Sequence, residues 1–153
     1  MDKNQIIQIA KDVFSPKKMP FNDLLGFEII IDDVDKPMIK FNMNENLIGN
    51  YYYKILHGGV ISSVLDTIGG LIAFIGVLKK HNIENGWQNL MEKLTKISTI
   101  DLRVDYLRPG KGKFFIATGN ILRTGNKVAV NRMELRNNEN ELIAVGTGTY
   151  LVG

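Results

Sequence analysis

A chain of 153 residues, 44% hydrophobic and 23% charged, has the size and balance of one soluble globular domain with its own core. The formal net charge of +3 comes without any block of consecutive Lys or Arg, which leaves no footprint for nucleic acid but suits a small anionic ligand. Cysteine is absent, so disulfides, thiol nucleophiles and cysteine zinc sites are excluded, in keeping with a reducing, cytoplasmic location.

The opening stretch MDKNQIIQIAKDVF has no apolar core followed by a cleavage site, so a signal peptide is not expected. Ile6, Ile9, Ala10 and Val13 instead fall on one side of a short amphipathic helix, with residues 1–20 as helix and lead-in. FEIIIDDV (27–34) and KPMIKFNM (36–43) read as strands around an Asp/Lys/Pro turn. A long helix is expected over 57–80. Ile61, Leu65, Ile68, Ile72 and Ile75 form one apolar stripe there, and Val60, Val64, Leu71, Phe74 and Leu78 form a second. A third stripe, Ser62, Asp66, Gly69, Ala73 and Gly76, is small or polar and lets other structure approach closely.

The run from Val60 to Leu78 is nearly long enough to span a bilayer, but it carries Asp66 with Ser62, Ser63 and Thr67 beside it. A buried central helix wrapped by strands is therefore expected, with no membrane insertion. A lone carboxylate in such company is costly unless it is paired, hydrogen-bonded or useful. Gly69-Gly70 would weaken an isolated helix, so packing must hold this one.

Beyond the helix, a polar stretch places Leu90, Met91 and Leu94 at helical spacing, as a loop and a short helix. TIDLRVDYLRPG then alternates, with Ile100, Leu102, Val104 and Tyr106 on one face and Thr99, Asp101, Arg103 and Asp105 on the other. The charged members read as an exposed pattern. KFFIATGNIL, NKVAVNRMELRN and ELIAVGTGTYLVG follow, with turns at Arg123-Thr124-Gly125-Asn126 and at Asn137-Asn138. Four successive strands over 98–152 predict an antiparallel meander. Gly146 and Gly148 on the last strand let the helix sit close to a curved sheet. The expected fold is α+β, a single domain over 1–153 in which a curved antiparallel sheet of five or six strands wraps the central helix. That arrangement is the hotdog fold.

HGGVISSVLD, with an acidic residue nine positions after the His, resembles the signature of PaaI-type acyl-CoA thioesterases. IGNYYYKILHGGVISSVLDTIGGL, TIDLRVDYLRPGKG, LRTGNKVAVNRMEL and GTGTYLVG extend the likeness, in this order, to the YigI-type medium- and long-chain branch of that family. The resemblance implies acyl-CoA hydrolysis without a cofactor, coenzyme A being part of the substrate. It makes Asp66 the general base or nucleophile and the Gly58 N–H the group that polarises the thioester carbonyl. The start of a helix does favour developing negative charge, and glycine leaves its backbone open to approach.

Nine residues of helix rise about 13 Å and turn about 180°, so Gly58 and the Asp66 carboxylate of one helix cannot meet on one carbonyl. A second copy must bring the missing partner. This agrees with the homodimers and homotetramers of the resembled family. The family's Asn six positions before the His falls here on Tyr51, with Asn50 one earlier, and either can take that place. Thr99 stands where relatives carry a Ser or Thr that orients water, and His57 reads as structural, bonding nearby backbone. The loops holding Tyr106, Arg108, Pro109 and Gly110, and Arg123, Thr124, Gly125, Asn126 and Lys127, match coenzyme A contacts in relatives. Arg108, Arg123 and Lys127 are the expected phosphate partners. Trp87 and Tyr51–Tyr53 line an acyl tunnel or fill a core or interface.

Rival chemistries find less support. No metal-ligand spacing is present, and no G-x-S-x-G elbow accompanies the two histidines, His57 and His81. The dehydratase HFPxxPxxPG stretch of related folds is missing. Aromatic acyl-CoA hydrolysis and a non-catalytic acyl-CoA-binding module remain the alternatives.

Overall fold

A computed structural model of the chain describes residues 1–15, 17–80 and 86–153. Helix α1 (Lys3–Val13) begins at Asp2, whose carboxylate accepts the Gln5 N–H at 2.8 Å while the Gln5 side chain accepts the Asp2 N–H at 3.1 Å. This reciprocal cap satisfies two helix-end donors. Ile6 and Ala10 are buried, Ile9 and Val13 pack partly against the core, and Phe14 meets Phe74 edge-on at 5.5 Å. A short helix α2 (Pro20–Leu24) leads into strands β1 (Glu28–Ile30) and β2 (Met38–Asn42), both shorter than the sequence suggests because 31–37 form a wide turn.

A small hairpin of β3 (Ile48–Asn50) and β4 (Ile55–Leu56) delivers the chain to α3 (Gly58–Lys80). Both apolar stripes of α3 are buried. Each such Ile, Leu or Phe contributes about 1.5–3 kcal/mol on burial, against about 1 kcal/mol lost at each helical glycine. Packing wins. Among the described residues α3 is the one helix long and apolar enough to cross a membrane, yet its most apolar stretch is 72% buried inside the protein. Helix α4 (Trp87–Thr95) buries Leu90 and Leu94 and leaves Met91 on its outer side.

Strands β5 (Ser98–Tyr106), β6 (Phe114–Thr124), β7 (Val128–Asn137) and β8 (Leu142–Leu151) complete the fold. The six-stranded antiparallel sheet has the order β1-β2-β6-β7-β8-β5. The expected four-strand meander is therefore corrected. β6, β7 and β8 do meander, but β6 pairs with β2, and β5 crosses to the far edge beside β8. Local strand signals could not show that crossing, which depends on α3 filling the concave face. The result is a long helix cradled by an antiparallel sheet, the hotdog fold.

Two local corrections matter for the site. A bulge between Thr99 and Asp101 breaks the alternation of β5, so Thr99 turns to the same side as Leu102 and Val104, toward α3, instead of the opposite face. Ile100 is the extra residue and is 56% exposed. At the other end, Arg123 and Thr124 belong to β6, and the turn is confined to 125–127, closed by the Gly125 N–H donating to the Val128 carbonyl at 2.8 Å. Asn137 likewise ends β7. Its side chain organises the following turn, accepting from the Glu139 and Glu141 N–H groups at 3.0 Å each.

Candidate active site

Asp66 lies half-buried on the polar stripe of α3, where the Thr99 hydroxyl donates to Oδ1 at 2.8 Å. The buried Tyr150 phenol lies 3.4 Å from the same oxygen and 3.3 Å from the Asp66 carbonyl. The second carboxylate oxygen has no partner among the described residues. Asp66 forms part of the wall of a pocket of about 240 Å³, whose apolar side includes Phe14, Phe74 and Leu94. A carboxylate oxygen open to an apolar pocket is within reach of a water or substrate held there, which is the first condition for a general base.

Tyr150 was not legible as a site residue. The signal was present, however: on β8 it follows Gly146 and Gly148 at a spacing of two and so shares their helix-facing side. A Cβ on Gly148 would lie 2.6 Å from the Tyr150 hydroxyl, and one on Gly69 would lie 2.0 Å from it. Gly148 thus makes room for a phenol, whereas the sequence suggested only close helix packing. Burial first, then the Asp66 charge and hydrogen bond, push the Tyr150 phenol far above its ordinary value, which keeps it a donor.

A second group of candidates meets at the start of α3. The His57 Nδ1 accepts the Gly59 N–H at 2.8 Å, so the imidazole caps the helix as its structural reading anticipates. Gly59 leaves that ring its space, since a Cβ there would sit 2.9 Å from Nδ1. Gly58 is the first helical residue, and its carbonyl accepts the Tyr106 hydroxyl at 3.1 Å. Its N–H has no partner among the described residues.

These two centres are apart within one protomer. Counted from Gly58 itself the interval to Asp66 is eight residues, about 12 Å of rise and a rotation of about 80°, not 180°. Both therefore face the β5 side of the helix, Gly58 beside Tyr106 and Asp66 beside Thr99. Axial distance alone separates them.

The remaining candidates are dispersed. Asn50 accepts the Tyr52 and Tyr53 N–H groups at 3.1 and 3.3 Å, which occupies its side-chain oxygen in a turn. Tyr51, Tyr52 and Tyr53 are exposed, with the Lys54 ammonium 3.7 Å from the Tyr51 ring centre. Trp87 is also exposed. Arg108 donates to the Leu142 carbonyl at 3.0 Å, Pro109 is exposed, and Gly110 is buried with its carbonyl accepting the Leu56 N–H at 3.0 Å. Thr124, Gly125 and Asn126 line a different pocket of about 280 Å³ with Lys80 and Lys93, near the C-terminus of α3. Lys80 donates to the Thr124 carbonyl. Arg123 and Lys127 are exposed beside it. Asp105 holds Arg103 at 3.0 Å, leaving an exposed charged surface on β5 as expected. No group of three or more metal-binding side chains occurs among the described residues. His81 lies outside the described residues.

The chain belongs to the thioesterase superfamily, whose family model matches residues 53–144. It is 46% identical over 135 residues to the medium/long-chain acyl-CoA thioesterase YigI of Escherichia coli (strain K12), a span that covers 88% of this chain and 86% of that protein. A crystal structure from Shewanella oneidensis, of a protein related to the thioesterase superfamily, matches with a TM-score of 0.89 and 44% identity. That match covers 99% of this chain and 100% of the other. A thioesterase from Haemophilus influenzae shares the fold at a TM-score of 0.68 and 18% identity, covering 95% of this chain and 88% of its own.

Proposed function

We propose that this protein hydrolyses medium- or long-chain acyl-CoA to a free fatty acid and coenzyme A. The observation that carries the reading is the Asp66 carboxylate, held through one oxygen by Thr99 on the wall of an apolar pocket, with its other oxygen unpartnered among the described residues. The 46% identity to YigI supports the substrate class.

In the proposed reaction Asp66 takes a proton from water while the water oxygen attacks the thioester carbonyl. The Gly58 N–H of the partner subunit, first in its helix, receives the developing oxyanion. The C–S bond then breaks and coenzyme A leaves as thiolate, which takes the proton from Asp66 and restores its carboxylate.

Strand β5 supports a composite site. It is a nine-residue strand on the sheet edge, and an open edge of that length favours pairing with another strand. Antiparallel self-pairing about Arg103 sets Leu102 opposite the partner's Val104. After the bulge at Ile100, it sets Thr99 opposite the partner's Tyr106. Asp66 then meets the partner's Gly58, because each helix residue already sits by the corresponding strand residue. The like-charged Arg103 pair is tempered by the bond from each Arg103 to its own Asp105.

The same two-fold axis accounts for the scattered coenzyme A candidates. Within a protomer, Arg108 lies by Leu142 at one end of β8, while Val128, just after the 125–127 turn, pairs with Leu151 at the other. Self-pairing carries the Arg108–Gly110 loop of one copy toward the Arg123–Lys127 end of the other, where the basic residues would meet the phosphates.

Thiol release from an acyl-CoA panel, octanoyl to palmitoyl plus aromatic thioesters, tests this with wild type and Asp66→Asn. Wild type should turn over the fatty acyl members, and Asp66→Asn should lose about 10²- to 10⁴-fold in kcat. Full activity of the variant would remove Asp66 as base. Inactivity of both proteins across the panel would favour a binding module.

A further inference from the structure

The Tyr150 hydroxyl is an unexpected presence in the core. The residue is 1% exposed, and Phe would fill the same slot without an oxygen. Accommodating that oxygen requires glycine at two positions, Gly69 on α3 and Gly148 on β8, where a Cβ would stand 2.0 and 2.6 Å away. A buried phenol also gives up water and must find an acceptor. Its acceptors are both on Asp66, the main-chain carbonyl at 3.3 Å and Oδ1 at 3.4 Å.

Geometry assigns the hydroxyl a task. Thr99 grips Oδ1 from the edge strand at 2.8 Å, and Tyr150 approaches the same oxygen from the neighbouring strand. Thr99 and Tyr150 are themselves paired across β5 and β8. The phenol has one proton, shared between the main-chain carbonyl and Oδ1, and with the Thr99 hydroxyl it restricts rotation of the carboxyl group.

We propose that Tyr150 is a positioning residue for thioester hydrolysis, holding the Asp66 carboxylate by one oxygen so that the other is presented to the pocket. This rests on the assignment of Asp66 as the base. The phenol, held protonated by burial and by the Asp66 charge, remains a donor throughout the working pH range.

The test measures kcat and KM with an acyl-CoA that wild type turns over, for Tyr150→Phe in the wild-type and Asp66→Asn backgrounds. In the wild-type background kcat should fall about three- to tenfold, with KM unchanged, as expected for loss of one long hydrogen bond to a charged group. In the Asp66→Asn background the residual rate should not fall further, since no carboxylate remains to be held. A merely structural hydroxyl would produce the same proportional loss in both backgrounds, and that result overturns the proposal. An unchanged kcat in Tyr150→Phe overturns it too. Gly148→Ala supplies a second route, because its Cβ displaces the phenol and leaves the ring chemistry intact. It should reproduce the kcat loss, and wild-type kcat in the folded variant counts against Tyr150. Should Asp66→Asn retain full activity, the base assignment fails first. Should it lose activity while Tyr150→Phe keeps wild-type kcat, only the role of Tyr150 fails.

Discussion

At the scale of single residues, the His57-Gly58-Gly59 sequence divides its work three ways. His57 caps the helix through Nδ1, Gly59 leaves the imidazole its place, and Gly58 keeps the first amide open. The role of His57 is thus a hydrogen-bond acceptor's role, which Asn can also perform. His57→Ala should destabilise the protein by about 1 kcal/mol, while His57→Asn should retain most of that stability. Urea unfolding at neutral pH checks the difference. Equal loss in both variants would show that the imidazole acts by packing instead of capping. Asp66 was legible from sequence because a carboxylate in an apolar helix stands out. Tyr150 was not, because an aromatic residue on a terminal strand looks like ordinary core. The bond to Asp66 sets it apart, and in the sequence only the glycines at 146 and 148 mark it.

At the scale of elements, α3 was readable almost residue for residue, since two apolar stripes with helical spacing allow little else. Its glycines have a less obvious meaning. Gly69 is in the helix interior, where alanine is intrinsically better by about 1 kcal/mol. A Cβ there nevertheless meets the Tyr150 hydroxyl at 2.0 Å and its ring carbon at 2.6 Å. Overpacking of a well-filled core costs about 1–3 kcal/mol, so the clash outweighs the propensity gain. Gly69→Ala should lower the melting temperature despite its better helix propensity. A rise in melting temperature would mean that Tyr150 can move aside freely.

Strand β5 taught the opposite lesson. Its alternation was readable, but the bulge at Ile100 was not, because this exposed yet apolar extra residue keeps the pattern unbroken where the phase in fact inverts. That bulge decides the face on which Thr99 lies, and hence whether it can reach Asp66. The loops proposed to meet coenzyme A show a similar limit. Sequence located the Arg123–Lys127 segment, but the approach of Lys80 and Lys93 to it depends on how α3 and α4 lie against β6.

At the scale of the whole molecule, strand order is what positions the candidate site. A simple meander would have put β5 inside the sheet, beside β6. Its crossing to the outer edge of β8 leaves an open strand alongside the helix face that carries Gly58 and Asp66. The sequence could not reveal the crossing, because β5 and β6 are joined by a connection short enough for a hairpin. The expected need for a second copy rests on helix rise, which keeps the two groups apart within one protomer. The rise of about 12 Å survives the correction of the rotation.

Pairing two disabled subunits tests that need directly. Asp66→Asn removes the proposed base, and Gly58→Pro removes the amide at the first helical position, where proline is tolerated. Each homo-oligomer should be nearly inactive. Two-fold pairing of one subunit of each kind places both defects in one site and leaves the other site whole. The tagged, co-expressed and purified heterodimer should therefore recover about half of the wild-type acyl-CoA hydrolysis. A heterodimer as inactive as its parents would contradict a site shared between subunits.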